Sequence, residues 1–321
     1  MIFEKKVVGI YESQFLTRCD DKGLACYFSH ADFPGLRQQP FDFVSSLGHA
    51  MKGWFYCYDE IIPGRLVVFD HGFGGGHRSY MKEIELLARH GYLVYTYDHT
   101  GCMESGGDNP RGLSQSLRDL NDCLNALKAA PAFRSLDISV MGHSWGAFAC
   151  MNIAALHPEV SHIVALSGFV SVEEMVSQFF SGILKGYRKP VMNIERKNNP
   201  EYVKYNAAQT LADTAAKVLL IYSSNDKLVI REIHHGILTK ALKGKQDVRI
   251  LLEEGKGHNP NYTADAVSYL AEYTADMTRR LKDKVLETEV QKKAFRQQWD
   301  WNRMTQQDEK VWAEIFRTLD N

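Results

Sequence analysis

Gly142-His143-Ser144-Trp145-Gly146 is the stretch from which the rest of this chain can be read. It follows the apolar run 136–141, which has the length and residue types of a buried strand. It precedes residues 147–157, an apolar segment that reads as a helix stopped by Pro158. A serine between two glycines at a strand-to-helix junction spells a nucleophile elbow. The spelling has a steric cause. So tight a turn strains the serine backbone, and residues without side chains let strand and helix approach each other. The hydroxyl is then pushed clear of the backbone, at the positive end of the helix dipole. Five residues can also coincide by chance, so the reading depends on what surrounds them.

Outward from the elbow, apolar strands alternate with amphipathic helices. Strands are expected at 66–70, 92–97, 162–166, 218–222 and 248–252. A helix at 79–90 aligns Tyr80, Ile84, Leu87 and Ala88 and ends at Gly91, and one at 113–130 aligns Leu117, Leu120, Leu124 and Leu127. Further helices are expected at 230–242 and 262–281, the last closing the core. Continuous apolar strands separated by such helices imply an α/β fold, with a mostly parallel sheet covered on both faces. The first 60 residues, rich in aromatic and β-branched types, read as an antiparallel edge of that sheet, with 54–58 as one strand. Residues 169–215 hold no strong strand and suggest a mostly helical lid inserted between late strands. In the tail, Thr305 followed by Asp308 resembles a helix cap, and Val311, Trp312, Ile315, Phe316 and Leu319 form one apolar face. That face is expected to pack on the parent domain. A homodimer through the lid or this helix is the alternative. The expected division is therefore 1–168 and 216–281 as the two parts of the core, 169–215 as lid and 282–321 as a helical extension.

The bulk composition narrows the function. The 321 residues carry a net charge of −1, with 45% hydrophobic and 24% charged residues. No global basic field exists to attract nucleic acid or an anionic membrane, and no apolar run approaches the ~20 residues of a membrane span. The start of the chain shows no export signal. The six cysteines, Cys19, Cys26, Cys57, Cys102, Cys123 and Cys150, form no C-x-x-C pair and no zinc-ligand spacing. They read as reduced thiols of a cytoplasmic protein, and no metal or organic cofactor is called for.

A serine hydroxyl is scarcely ionised near pH 7 and needs a base, which in turn needs a carboxylate to fix its tautomer. On this sheet order the parts should follow as Ser, then Asp or Glu, then His. Asp226 lies in the loop after the strand ending at Tyr222, and His258 in the glycine-bearing loop after the strand ending at Leu252. Taken singly, Asp226 reads as a helix cap or turn residue and His258 as a surface histidine. The order of all three favours a catalytic set of Ser144, Asp226 and His258. His234 and His235 fall inside a helix, Asp213 precedes its strand and Asp265 lies beyond His258, so none fits. An oxyanion hole needs two backbone N–H groups. Trp145 is expected to supply one and Phe73, in the loop His71-Gly72-Phe73-Gly74-Gly75-Gly76, the other. Gly72 and Gly74 let this loop fold back, and His71 is expected to brace it. The same glycine run, with Asp98 ending the next strand, imitates a dinucleotide fingerprint. Its third glycine is early, and the acid lies beyond the usual ~20 residues. A P-loop is excluded because no Gly-Lys-Ser/Thr follows.

Taken together, these pieces resemble the α/β-hydrolase superfamily over roughly residues 60–280. The stretch Asp98-His99-Thr100-Gly101-Cys102-Met103-Glu104-Ser105 is similar to the Asp-x-x-Gly-x-Gly-x-Ser loop of its lid-bearing branch, the serine-aminopeptidase-like and monoglyceride-lipase-like proteins. Met103 here replaces the second glycine. The resemblance implies the α/β-hydrolase fold and hydrolase or acyl-transfer chemistry on a small-molecule acyl substrate, and leaves the substrate open. A serine hydrolase acting on a carboxylic ester is the expectation, with Phe179, Phe180, Ile183 and Leu184 as candidate apolar lining or, equally, lid core. The alternatives are a ligand-binding protein with negligible turnover, another amide or thioester hydrolase on the same three residues, and an aminopeptidase whose acidic subsite would come from Glu173, Glu174 or Glu195.

Overall fold

The computed structural model describes residues 2–321, with side chains from Lys5 onward. Its centre is an eight-stranded sheet of β1 (Arg37–Pro40), β2 (Gly53–Cys57), β3 (Arg65–Asp70), β4 (Leu93–Tyr97), β5 (Asp137–His143), β6 (His162–Leu166), β7 (Lys217–Ser223) and β8 (Val248–Glu253). The spatial order is β1-β2-β4-β3-β5-β6-β7-β8. β2 runs antiparallel to β1 and β4, and every other pairing is parallel. The order reverses around β3, so the carboxyl ends of β3 and β5 flank the crevice where an open α/β sheet takes its ligand.

The two-residue period of the strands feeds two cores. On β3, Leu66 and Val68 face one core, while Val67 and Phe69 face the other. On β7, Val218, Leu220 and Tyr222 are separated in the same way from Leu219 and Ile221. The first core is completed by α3 (Gln115–Ala129) and α4 (Trp145–Ile153), and the second by α2 (Met81–Arg89) and α12 (Glu309–Leu319). Burying residues on both sheet faces explains the continuous apolar runs in the sequence. Between β6 and β7 lie α5 (Val172–Phe179), a 3-10 segment (Gly182–Tyr187), α6 (Arg188–Asn198) and α7 (Ala207–Asp213). No strand of the central sheet falls in this stretch. The helix expected at 230–242 is the shorter α8, His234–Ala241.

Three expectations need correction. Residues Ile2–Phe15 form a helix, α1, ahead of the antiparallel strands. The aromatic and β-branched content suggests sheet throughout, but Val7, Tyr11 and Phe15 recur at four-residue spacing. Tyr11 and Phe15 are buried in the first core with Val7 packed beside them. The helix α9 (Ala264–Lys282) does not close the sheet. Only Ala266 and Tyr273 are buried on it, and Tyr273 belongs to a small separate core with Leu286, Phe295 of α10 (Glu289–Arg296) and Met304. The sheet is closed by α12, whose Val311, Trp312, Ile315 and Leu319 are buried in the second core with β6 and β7. Its apolar face is thus used inside the chain. Its cap is Asp308, which accepts the Lys310 N–H, while Thr305 ends the preceding turn, α11 (Trp301–Met304).

Candidate active site

Ser144 joins β5 to α4 with φ of 54° and ψ of −109°. This is the left-handed side of φ, costly for a residue with a side chain. The chain has no room to relax. A Cβ at Gly142 would lie 2.6 Å from the Gly146 carbonyl carbon, and one at Gly146 would collide with the Asp70 carbonyl. The Ser144 N–H donates to the Leu166 carbonyl at 2.8 Å, which anchors the turn to β6.

Asp226 sits in the loop after β7. Its Oδ1 accepts the backbone N–H groups of Leu228 (2.8 Å) and Val229 (3.1 Å), and its Oδ2 lies 2.8 Å from His258 Nδ1. Burial alone would raise the Asp226 pKa. The His258 hydrogen bond and charge, with the two amides, outweigh burial and hold the pKa below the usual carboxylate value. The ionised carboxylate accepts from Nδ1–H, which fixes the His258 tautomer and leaves Nε2 as the basic nitrogen. The loops are stitched together. Asn225 Oδ1 accepts the Gly257 N–H at 2.8 Å, and Ser223 Oγ accepts the Lys256 N–H at 2.9 Å. Gly257, at φ +58°, supplies the backbone bend before the histidine. The His258 side chain is 17% exposed. Among the described residues neither its Nε2 nor Ser144 Oγ has a hydrogen-bond partner.

His143 and Tyr80 connect the parts, and the order-of-residues argument points to neither. His143 Nε2 is 2.7 Å from the His258 carbonyl, so it donates. Nδ1 then accepts from Tyr80 Oη (2.8 Å), which itself accepts the Gly72 N–H (3.1 Å). Burial presses the His143 pKa down to about 3, so the ring stays neutral and the relay keeps one polarity. The one signal in the sequence is the polar, ring-bearing residue between Gly142 and the serine.

The glycine loop follows β3. Gly74 has φ +86°, and a Cβ at Gly72 would strike Tyr80 Oη. His71 is buried, with its pKa lowered to about 3 by burial first and the nearby His99 next. Its Nδ1–H donates to the Gly72 carbonyl (2.8 Å) and its Nε2 accepts the His99 N–H (3.0 Å). The Phe73 ring packs edge-on to Trp145 with centroids 5.1 Å apart. Among the described residues, neither the Phe73 nor the Trp145 backbone N–H donates to another protein group. The Trp145 indole N–H donates to the Leu113 carbonyl (2.6 Å), and its own carbonyl accepts Ser116 Oγ (3.0 Å). In the neighbouring loop Met103 adopts φ +42°, so the backbone keeps a glycine-like bend although the glycine is missing. Ser105 Oγ closes that loop onto the Asp98 carbonyl.

Of the candidate lining residues, Phe179 stacks on Phe15 of α1 (5.6 Å), and Phe15 lies 5.2 Å from the Phe73 ring. Phe180 is buried near Tyr11 (6.3 Å), and Leu184 is half-buried against the same core. Ile183 is 98% exposed on its 3-10 turn and lines nothing here. Glu195 is buried, accepting Tyr11 Oη (2.5 Å) and the Leu113 N–H (3.0 Å), while Glu173 and Glu174 occupy the first turn of α5. Among the described residues no cluster of three or more His, Cys, Asp or Glu is placed to hold a metal ion, and no helix is long and apolar enough to cross a membrane.

The sheet order and the strained serine between glycines define an α/β hydrolase. The family model described as serine aminopeptidase, S33, matches residues 62–254, and the chain belongs to that family. A protein named "Putative carbamate hydrolase RutD" from Klebsiella pneumoniae is 30% identical over 120 residues, 37% of this chain and 43% of the relative. The match thus spans less than half the relative's length. Among solved structures, the Pyrococcus furiosus esterase Pf2001 superposes with a TM-score of 0.58 at 18% identity, over 81% of this chain and 96% of that one. A Klebsiella pneumoniae protein described as a "Putative Dienelactone Hydrolase" gives a TM-score of 0.54 at 14% identity, over 89% and 99%. At such identities these likenesses show the fold.

Proposed function

We propose that this hydrolase cleaves a carboxylic ester with a small or medium acyl group, through Ser144, His258 and Asp226. The observation that carries the proposal is the strained Ser144 turn at the sheet's carboxyl edge, whose neighbour His143 reaches the His258 carbonyl at 2.7 Å, while Asp226 fixes the His258 tautomer at 2.8 Å. Ser144 Oγ attacks the ester carbonyl as His258 Nε2 takes its proton. The tetrahedral oxyanion is held by the Phe73 and Trp145 N–H groups. His258 passes the proton to the departing alkoxide, leaving an acyl-serine. A water molecule, deprotonated by His258, then attacks the acyl carbonyl and frees the carboxylic acid and Ser144.

The helices between β6 and β7 act as lid in this reading, with Phe179 and Phe180 toward the acyl side. An ester is favoured over an aminoacyl substrate because Glu195, the buried lid carboxylate, is engaged by Tyr11 and Leu113. The six cysteines are free thiols, which suits a reducing compartment, and we place the protein in the cytoplasm. The test is a panel of p-nitrophenyl esters, aminoacyl-coumarins and aryl carbamates, with Ser144→Ala as control. Hydrolysis of the short esters that vanishes in the folded variant supports the reading. Ester turnover that survives in Ser144→Ala, or activity confined to the aminoacyl substrates, overturns it.

A further inference from the structure

Directly beneath the elbow lies a charged cluster that the reaction above does not use. His99, just past β4, has a fully buried ring. Its Nε2 pairs with Asp70 Oδ1 and its Nδ1 lies 3.2 Å from Asp119 Oδ2. Both ring nitrogens face carboxylate oxygens, an arrangement that suits a doubly protonated ring, although burial also raises the Asp70 carboxyl, with the His99 charge and hydrogen bond opposing that rise. Burial opposes that charge, but Asp70 and Asp119 together overcome it and push the His99 pKa up to about 10. Asp119 is filled further by the Thr100 N–H (2.8 Å), Thr100 Oγ1 (2.8 Å) and Gln115 Nε2 (2.8 Å). Tyr97 Oη donates to Asp70 at 3.2 Å.

Burying an ion triad costs more desolvation than apolar residues of the same size would, so its placement calls for a reason. The cluster touches both segments that present the two amides. The His99 N–H holds His71, whose other nitrogen holds the Gly72 carbonyl, one residue before Phe73. The His99 ring lies 4.4 Å from the His71 ring and 4.6 Å from the Trp145 ring. Asp70 also contributes the carbonyl against which Gly146 is packed. We propose that His99, clamped between Asp70 and Asp119, is a positioning residue of the oxyanion hole. It fixes residues 70–73 against Trp145, so that the Phe73 and Trp145 N–H groups converge on one point. This rests on the serine-hydrolase reading.

The experiment compares wild type with His99→Gln and the near-isosteric Asp119→Asn. The readouts are ester kcat and KM, affinity for a trifluoromethyl ketone that adds to Ser144 and forms an oxyanion, and thermal unfolding. In a variant still folded at assay temperature, kcat should fall at least ~10-fold for His99→Gln, and less for Asp119→Asn. KM should stay within about twofold, and ketone affinity should drop in parallel with kcat/KM. A folded His99→Gln variant with unchanged kcat, or one losing kcat without losing ketone affinity, overturns the proposal. Nitrogen-15 spectra of the wild-type imidazoles need no variant. His99 should be doubly protonated at pH 7, and a neutral ring there overturns the clamp. If wild type itself hydrolyses no ester, the functional reading fails, while the protonation result still reports on His99.

Discussion

At Gly146 the available space decides everything. A methyl there would sit on the Asp70 carbonyl, which belongs to β3 and cannot retreat without breaking the sheet. Gly146→Ala is expected to destabilise the protein by about 3 kcal/mol or more, read by urea unfolding. Asp226→Asn keeps the shape but loses the charge that orders His258. The loss in kcat should be roughly 10³- to 10⁴-fold with little change in KM, measured on a short ester. Residues whose placement follows from local spelling are legible in the amino-acid order alone. Ser144 stands between its two glycines, and Asp226 and His258 each follow a strand in the required order. His143, Tyr80 and His99 are not legible in that way, because what matters about them is which distant groups they meet. Tyr80 sits 63 residues from His143, and His99 lies 29 from Asp70. No local pattern encodes such contacts.

Elements show the same contrast on a larger scale. The parallel strands, all but the edge strand β8 buried on both faces, carry the strongest sequence signal, and they lie within a residue or two of where their apolar runs begin and end. Helix α12 is legible from its apolar face, whereas α1 is harder to read, since the four-residue spacing of Val7, Tyr11 and Phe15 competes with a background of aromatic and β-branched residues. Which helix closes the sheet depends on packing rather than pattern. α9 is longer, but α12 brings Trp312, Ile315 and Leu319 to one face. The position of α1 gives it consequences. Phe15 is buried between Phe179 of α5 and Phe73 of the glycine loop, and Tyr11 holds Glu195 of α6. Phe15→Ala should cost about 3 kcal/mol, checked by urea unfolding, because it empties a closed aromatic contact.

Across the whole molecule, the buried histidines make stability depend on pH in a way one substitution can isolate. His99 has a folded pKa of about 10 against an unfolded value near 6.5. Its contribution is therefore full below about pH 6.5 and is lost as pH rises through 10. The stability advantage of wild type over His99→Gln should be largest at or below pH 6.5 and shrink steadily towards pH 10, as seen by urea unfolding at several pH values. An advantage that grows with pH would contradict the clamp between Asp70 and Asp119. The proposed reaction turns on one hydroxyl, that of Ser144, and the most direct measurement is its reactivity. Native protein treated with a fluorophosphonate and digested for peptide mass spectrometry should carry a single phosphonyl adduct on Ser144, absent after heat denaturation and from His258→Ala. An unlabelled Ser144 in folded protein, or an adduct on another serine, would contradict the account.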